Sequence, residues 1–200
     1  MTGVRFENVT MGFGRRELLS ACSAQFGPGM HAITGPSGCG KTTTLNLIAG
    51  YLTPIDGRVS VEGRVGYLLQ DDALFGGLSA ADNLAVQAEV GVPGLRTLCA
   101  TEMLRAVGLA DQAGQSVAKL SGGERKRLSL AMTVSQAPDI LLLDEPTASL
   151  DDANKDMLAG LLASLCDGMC VIVATHDLDF VSELPNVCAR RLVKGGLVDA

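Results

Sequence analysis

Residues 35–42 constrain the fold and the chemistry of this chain more than any other segment. They read GPSGCGKT and match the spacing GxxxxGK[ST] in full. Residues 31–34 before them have the composition of a short strand, and the apolar residues after them recur at helical spacing as far as Gly50. In such a loop, glycines let backbone N–H groups approach a phosphate closely, and the helix directs its positive end at it. The sequence therefore predicts a phosphate-binding loop between a strand and a helix.

This loop supplies the first candidate site residues. Lys41 can reach the β and γ phosphates of a nucleotide, and Thr42 can offer its hydroxyl to Mg²⁺. A glycine-rich turn that contains a lysine by chance is the alternative, and the flanking strand and helix argue against it. The nucleotide-binding candidates are Gly35, Pro36, Ser37, Gly38, Cys39, Gly40, Lys41, Thr42 and Thr43.

A pair of acidic residues forms a second candidate site about a hundred residues later. The aliphatic run at residues 140–143 is typical of a strand buried on both faces, and it ends in Asp144-Glu145. Asp144 is placed to hold Mg²⁺, and Glu145 can polarise an attacking water as a general base. Two acids at a strand end can also be an ordinary polar loop. The phosphate-binding loop elsewhere in the chain favours the functional interpretation.

Composition favours a cytoplasmic α/β protein of one domain. The chain has 200 residues, of which 47% are apolar and 4% aromatic, as expected where buried aliphatic strands fill the core. The net charge of −6 argues against general affinity for nucleic acid. No window approaches the ~20 apolar residues that span a bilayer, and the N-terminal residues lack the features of a signal peptide.

Strands and helices alternate along the chain. Strands are predicted at residues 4–9, 18–26 and 171–174. A mainly helical stretch is predicted over residues 79–118, with a break at 91–94. Further helices are predicted over residues 121–135 and 153–165. This alternation indicates a mainly parallel sheet with ligands at the carboxyl ends of its strands.

Four further segments carry a family resemblance. Residues 120–124 read LSGGE and resemble the signature motif of ABC ATPases, just before the acidic pair as in that family. Gln70, at the end of a predicted strand, resembles the Q-loop glutamine, and residues 149–151 resemble the D-loop. His176, which follows the strand at residues 171–174, matches the switch histidine. With the phosphate-binding loop and the acidic pair, six motifs stand in family order, and the chain resembles an ABC transporter ATP-binding subunit.

The resemblance implies an α/β fold of the P-loop NTPase type. A three-layer core with a mainly parallel sheet would carry a small antiparallel β subdomain and an α-helical signature subdomain. Residues 1–200 would form one ABC ATPase domain, with the core and the antiparallel subdomain over about 1–75 and 136–200 and the helical subdomain over about 76–135. Residues 57–70 are fewer than in most relatives, and we interpret 58–62 and 64–69 as a shortened hairpin of the antiparallel subdomain.

The resemblance also implies that two copies share each ATP site. The signature residues Ser121, Gly122 and Gly123 of one copy would close over ATP held by the loop of the other, and Asp151 would lie at the seam. A Gly-Gly pair at a helix start offers backbone donors and a positive dipole end to the γ-phosphate. Glu124 stands where many family members have glutamine, which leaves these donors intact.

The remaining catalytic roles follow from the same resemblance. Gln70 would contact Mg²⁺ or the attacking water, and His176 would contact the γ-phosphate beside the general base Glu145. Phe13 lies where the family places an aromatic that stacks on adenine, and an ordinary core or surface phenylalanine fits the sequence equally well.

The implied activity is ATP hydrolysis coupled to solute transport. The cofactors would be ATP and Mg²⁺. The partners would be a second copy or a homologous ATPase subunit, an integral-membrane permease that holds the chain at the cytoplasmic face, and in an importer also a solute-binding protein. Alternatives are a soluble ABC-type ATPase of DNA repair or translation, or a nucleotide switch without hydrolysis. Glu145 and His176 argue against the switch, and neither transport direction nor substrate follows from the sequence.

Overall fold

The structure is a computed structural model that describes residues 2–70, 73–90, 99–148, 150–165, 168–193 and 195–199. The strands are β1 (Gly3–Phe13), β2 (Arg16–Phe26), β3 (Gly29–Thr34), β4 (Asp56–Glu62), β5 (Val65–Leu68), β6 (Ile140–Asp144), β7 (Cys170–Thr175), β8 (Cys188–Val193) and β9 (Gly196–Asp199). The helices are α1 (Lys41–Ile48), α2 (Ala80–Val90), α3 (Ala100–Ala106), α4 (Gly122–Ser135), α5 (Asp152–Leu165) and α6 (Leu178–Glu183).

A six-stranded sheet forms the centre of the molecule, in the order β5-β6-β7-β3-β8-β9. The strands from β5 to β8 run parallel, and β9 is antiparallel to β8. Every residue of β6 and β7 is buried, which explains their continuous aliphatic sequences. The predicted α/β fold with a mainly parallel sheet is confirmed.

The central sheet separates two hydrophobic cores. In β6, Ile140 and Leu142 face the core that contains α1, while Leu141 and Leu143 face the core that contains α4. This alternation follows from the pleat of a strand, in which successive side chains point to opposite faces. Because both faces are covered, a ligand can bind these strands where the chain leaves the sheet at their carboxyl ends.

A smaller antiparallel sheet, in the order β2-β1-β4, packs on the same core as α1. Its apolar side chains include Val4, Phe6 and Phe26, and the rings of Phe6 and Phe26 meet edge to face. At one end of this sheet the chain turns between Phe13 and Arg16, which pair across the two strands. This turn faces the phosphate-binding loop, which Arg16 contacts.

The predicted hairpin over residues 57–70 is wrong. Strand β4 pairs with β1 in the antiparallel sheet, whereas β5 pairs with β6 in the central sheet. Asp139, which precedes β6, redirects the chain: its carboxylate accepts a hydrogen bond from Arg64 N (2.8 Å), and its own N–H donates to Arg64 O (3.0 Å). Gly63 between the two strands has a φ of 130° and lies against Asp139, where a Cβ would meet the Asp139 side chain at 2.8 Å.

Three elements near the C-terminus were not predicted, namely α6, β8 and β9. Helix α6 has six residues, too few for a periodic pattern, and β8 interrupts its apolar residues with Arg190 and Arg191. The predicted break at residues 91–94 lies outside the described residues. No helix within the described part of the chain is long and apolar enough to cross a bilayer.

The core analysis predicts the cost of a cavity in β6. Leu142 is fully buried in the core that contains α1, so Leu142→Ala should lower the free energy of unfolding by about 3 kcal/mol through lost contacts and an unfilled cavity. Met157 on α5 is 46% exposed and serves as the matched control. Met157→Ala should change the free energy of unfolding by less than ~0.5 kcal/mol. Denaturant unfolding measures both, and equal effects would contradict the layered packing described above.

Candidate functional site

Four neighbouring parallel strands deliver the predicted site residues to one edge of the sheet. Gln70 lies two residues beyond β5, Asp144 ends β6, and His176 follows β7 directly. The phosphate-binding loop begins at Gly35, directly after β3. Since β5, β6, β7 and β3 are adjacent in this order, their carboxyl ends meet and bring the four segments together.

The loop requires glycine at two positions for steric reasons. Gly35 has a φ of 150°, and a Cβ there would lie 2.8 Å from Cys39 Sγ. Gly40 has a φ of 115°, and a Cβ there would meet Leu18 and Leu192 at 3.3 Å. Gly40 caps α1 without any side-chain hydrogen bond, so backbone N–H groups of the first turn are available to an anion.

Lys41 lies folded over the loop and is only 5% exposed. Its Nζ donates hydrogen bonds to Gly35 O (2.9 Å) and Pro36 O (3.4 Å). The same nitrogen forms an ion pair with Glu145 Oε1 at 3.1 Å. The cation of the loop is thus held against the candidate general base.

Glu145 is held in an unusual backbone conformation. Its φ is 45°, a region that costs a non-glycine residue free energy and often marks a functional site. Its N–H donates to Ala174 O (2.8 Å), and its Oε2 accepts hydrogen bonds from His176 Nδ1 (2.9 Å) and Thr175 Oγ1 (3.1 Å). Burial raises the pKa of Glu145, but the hydrogen bond and charge of Lys41, together with His176, outweigh it and leave the pKa below the ordinary value.

Asp144 is 2% exposed and lies beside Thr42. Thr42 Oγ1 donates to Asp144 Oδ1 (3.2 Å), and the Tyr67 hydroxyl donates to Oδ2 (3.5 Å). Burial raises the pKa of Asp144. The hydrogen bond from Thr42 lowers this pKa, the charge of Glu145 raises it, and the net pKa lies above the ordinary value. Burial and the nearby Asp144 also raise the pKa of Tyr67, which keeps the phenol protonated as a donor.

A cleft of about 410 Å³ joins most of the predicted residues. Phe13 lines it and is 54% exposed, so a core phenylalanine is excluded. Its lining residues are Phe13, Arg16, Leu18, Ser37, Gly38, Gly40, Lys41, Thr42, Thr43, Gln70, Glu145, Ala148 and His176. Sequence analysis missed Arg16 in this cleft and Tyr67 beside Asp144, because neither belongs to a recognisable motif.

The signature residues and Asp151 do not line this cleft. Ser121 caps α4 in a capping box with Glu124, which stands where glutamine is common in the family. Gly123 packs on Asn154, where a Cβ would come within 2.6 Å of Oδ1, and Asp151 Oδ1 accepts from Asn154 N at 2.9 Å. The two segments therefore pack on each other, with Gly122 exposed. Ser149 lies outside the described residues.

A buried lysine connects the signature helix with the Gln70 segment. Lys126, on α4, is 4% exposed, and its Nζ donates to Gln70 O (3.0 Å) and Leu69 O (3.4 Å). Lys126 therefore links α4 by hydrogen bonds to the backbone at Gln70, which lines the cleft.

The electrostatics of Asp144 predict a pH-dependent stability. The pKa of Asp144 is higher in the folded than in the unfolded protein. The fold therefore loses stability as the pH rises above the unfolded-state pKa, because ionised Asp144 is unfavourable in the fold. Asp144→Asn removes this penalty, so its free energy of unfolding should increase relative to that of the wild type as the pH rises to 7 in the nucleotide-free protein. The gain should vanish as the pH falls to the ordinary aspartate pKa of about 3.9.

Denaturant unfolding across this pH range measures the effect, with the exposed Asp111→Asn as the matched control. A stability difference between Asp144→Asn and the wild type that does not change with pH would contradict the raised pKa of Asp144.

Comparisons with known proteins agree with these motifs. The profile of the family described as ABC transporter matches residues 20–148. The Taurine import ATP-binding protein TauB of Pseudomonas aeruginosa is 42% identical over 82% of this chain and 68% of that protein. The Aliphatic sulfonates import ATP-binding protein SsuB of Ralstonia nicotianae is 38% identical over 88% of this chain and 65% of that protein.

Solved structures agree on the fold. A bacterial Atm1-family ABC exporter with ATP bound superposes with a TM-score of 0.81 at 25% identity, over 99% of this chain and 38% of that chain. A metal-chelate type ABC transporter in an inward-facing conformation superposes with a TM-score of 0.84 at 22% identity, over 100% of this chain and 83% of that chain. This likeness supports the fold alone. The family match, the TauB identity and the convergence of the motifs lead to one conclusion: the chain belongs to the ABC transporter family, as an ATP-binding ATPase domain.

Proposed function

We propose that this ATPase powers solute transport through a separate permease, by closing with a second ATPase copy around ATP and reopening after hydrolysis. One observation carries the proposal: the phosphate-binding loop, Glu145 and His176 share a cleft, whereas Ser121 and Gly122 lie elsewhere on the chain. A site with all its parts therefore needs the signature residues of another copy.

Hydrolysis in this cleft begins with a rearrangement at Lys41. The nucleotide phosphates compete with Glu145 for the ammonium group of Lys41. Without nucleotide, this group lies 3.1 Å from the Glu145 carboxylate. Glu145 is then free to take a proton from the attacking water, whose oxygen bonds to the γ-phosphorus as the bond to the bridging oxygen of ADP breaks. His176, which already donates to Glu145, orients the carboxylate and contacts the γ-phosphate.

Thr42, Gln70 and Asp144 have the oxygen donors to hold Mg²⁺. Thr42 Oγ1 lies 3.2 Å from Asp144 Oδ1, and Thr42 and Gln70 both line the cleft. Mg²⁺ is commonly held by one or two carboxylates, waters and substrate phosphates, and this donor set suits it. Held by these residues, Mg²⁺ would neutralise phosphate charge and would offset the cost of ionising the buried Asp144.

The second copy is recognised through the start of α4. Ser121 caps this helix, while Gly122 is exposed, and a Cβ added there would meet no atom of the described residues within 4 Å beyond its own helix. Backbone donors and the positive helix end are thus presented outward, as a γ-phosphate held by another copy requires. Asp151, exposed beside this surface, would lie at the seam of the pair. A homologous ATPase subunit fits the same role.

The permease docks beside Gln70 in this proposal. A groove there is lined by apolar side chains that include Leu69, Leu74 and Met132. Leu69 is 40% exposed and Phe75 53%, and large exposed apolar side chains near a groove mark an interaction site. A short amphipathic helix of the permease would lie next to Lys126 and Gln70, where its movement reaches the cleft. The permease would hold the chain at the cytoplasmic face of the membrane.

Import is the direction we propose. TauB and SsuB are both named as import proteins, at higher identity than the exporter of known structure. A solute-binding protein would then join the permease, and those two components would select the solute. None of the relatives reported above is named as a protein of DNA repair or translation.

Two variants separate binding from chemistry. Glu145→Gln should keep ATP affinity, stabilise the ATP-bound pair and lower turnover by about 10²–10⁴-fold, because the general base is lost. Lys41→Ala should instead weaken ATP binding itself. Calorimetry, size-exclusion chromatography with ATP, and phosphate release measure these effects. Unchanged turnover in Glu145→Gln would refute its role as the base.

A charge in the groove should block docking. Leu69→Glu should abolish co-purification with the permease and leave ATP affinity unchanged, because the side chain is exposed and does not line the ATP cleft. Val198→Glu on β9, an apolar residue of similar exposure, is the matched control and should co-purify normally. Normal co-purification of Leu69→Glu would contradict docking at this groove.

A further inference from the structure

The turn between β1 and β2 brings a guanidinium to the ATP cleft. Arg16 is the cross-strand partner of Phe13, and both side chains line the cleft. Arg16 Nη2 donates a hydrogen bond to Gly38 O in the phosphate-binding loop. A Cβ on Gly38 would lie 3.6 Å from this nitrogen, so the guanidinium rests directly against the loop.

The charges of the cleft leave Arg16 available to an anion. Lys41 is paired with Glu145, and its nitrogen also serves two carbonyls of the loop. Arg16 takes part in none of the ion pairs formed among the described residues, and its acceptor is a neutral carbonyl. A guanidinium has five N–H donors, so one carbonyl contact leaves others for a ligand.

We infer that Arg16 binds the phosphate chain of the nucleotide. Arg16 pairs with Phe13, which the resemblance places against adenine, and it also contacts Gly38 of the loop proposed to hold the phosphates. A guanidinium pairs with phosphate oxygens through two parallel hydrogen bonds, which a lysine ammonium cannot reproduce. The inference rests on the proposed ATP site and adds a contact outside its recognised motifs.

Arg16→Gln tests this contact, because glutamine keeps an N–H donor for Gly38 O and removes the charge. ADP affinity should fall about tenfold, since a charge-assisted bond to phosphate is lost at an exposed position. Adenosine affinity should stay unchanged. The loss for ADP should shrink as salt is raised, because ions screen exposed charges. Calorimetry of the full chain with ADP and ligand-observed NMR with adenosine measure these affinities.

Arg15→Gln is the matched control, because Arg15 is an adjacent exposed arginine that does not line the cleft. It should bind ADP like the wild type. Unchanged ADP affinity in Arg16→Gln, or an equal loss for adenosine, would overturn the inference. Lys41→Ala in the same assay reports on the site itself: if it also keeps ADP affinity, the ATP site assignment fails, and if it alone loses affinity, only the Arg16 contact fails.

Discussion

The hydrogen-bonded register of four parallel strands is the constraint on which the site depends. Asp144 pairs with Ala174 at the end of β7, and Thr34 pairs with Thr175 on its other side. The loop after β3, the acidic pair after β6 and the histidine after β7 therefore start within neighbouring strand positions. A one-residue slip of β6 would move Glu145. It would also turn each of the four aliphatic side chains of β6 to the opposite face of the sheet. Site geometry and core packing thus depend on the same pairing.

Within the described part of the chain, the charged residues at this edge of the sheet form ion pairs with each other in the absence of a ligand, with Asp144 as the exception. Glu145 holds Lys41 and His176, and this pairing keeps an ionised base in a partly buried place. Asp144 is the opposite case, a carboxylate whose ionisation burial disfavours. In the proposed mechanism, the phosphates of ATP would compete with Glu145 for Lys41, and Mg²⁺ would offset the cost of ionising Asp144. Binding would therefore replace the ion pair between Lys41 and Glu145 that the chain forms without nucleotide.

Motifs on buried strands were predictable, and contacts set by packing between sheets were not. The aliphatic sequences of β6 and β7 identified Asp144, Glu145 and His176 as residues at strand ends, which meet at one edge of a parallel sheet. Arg16 reaches Gly38 because the antiparallel sheet packs on α1, and no local pattern encodes that approach. The hairpin error has the same origin, since the bonds between Arg64 and Asp139 span 75 residues of sequence.

The central claim is that each ATP site combines the loop of one copy with the signature of another. Lys41→Ala should disable the loop. Gly122→Asp should disable the signature, at an exposed position with room for a side chain and at a helix start, where an acidic residue is favourable. Each variant alone should be inactive. When the two variants are mixed in equal amounts, about half of the pairs should contain one copy of each. A mixed pair has one intact site of its two, so about a quarter of the wild-type phosphate release should return. If the mixture stays as inactive as its components, the shared site is contradicted.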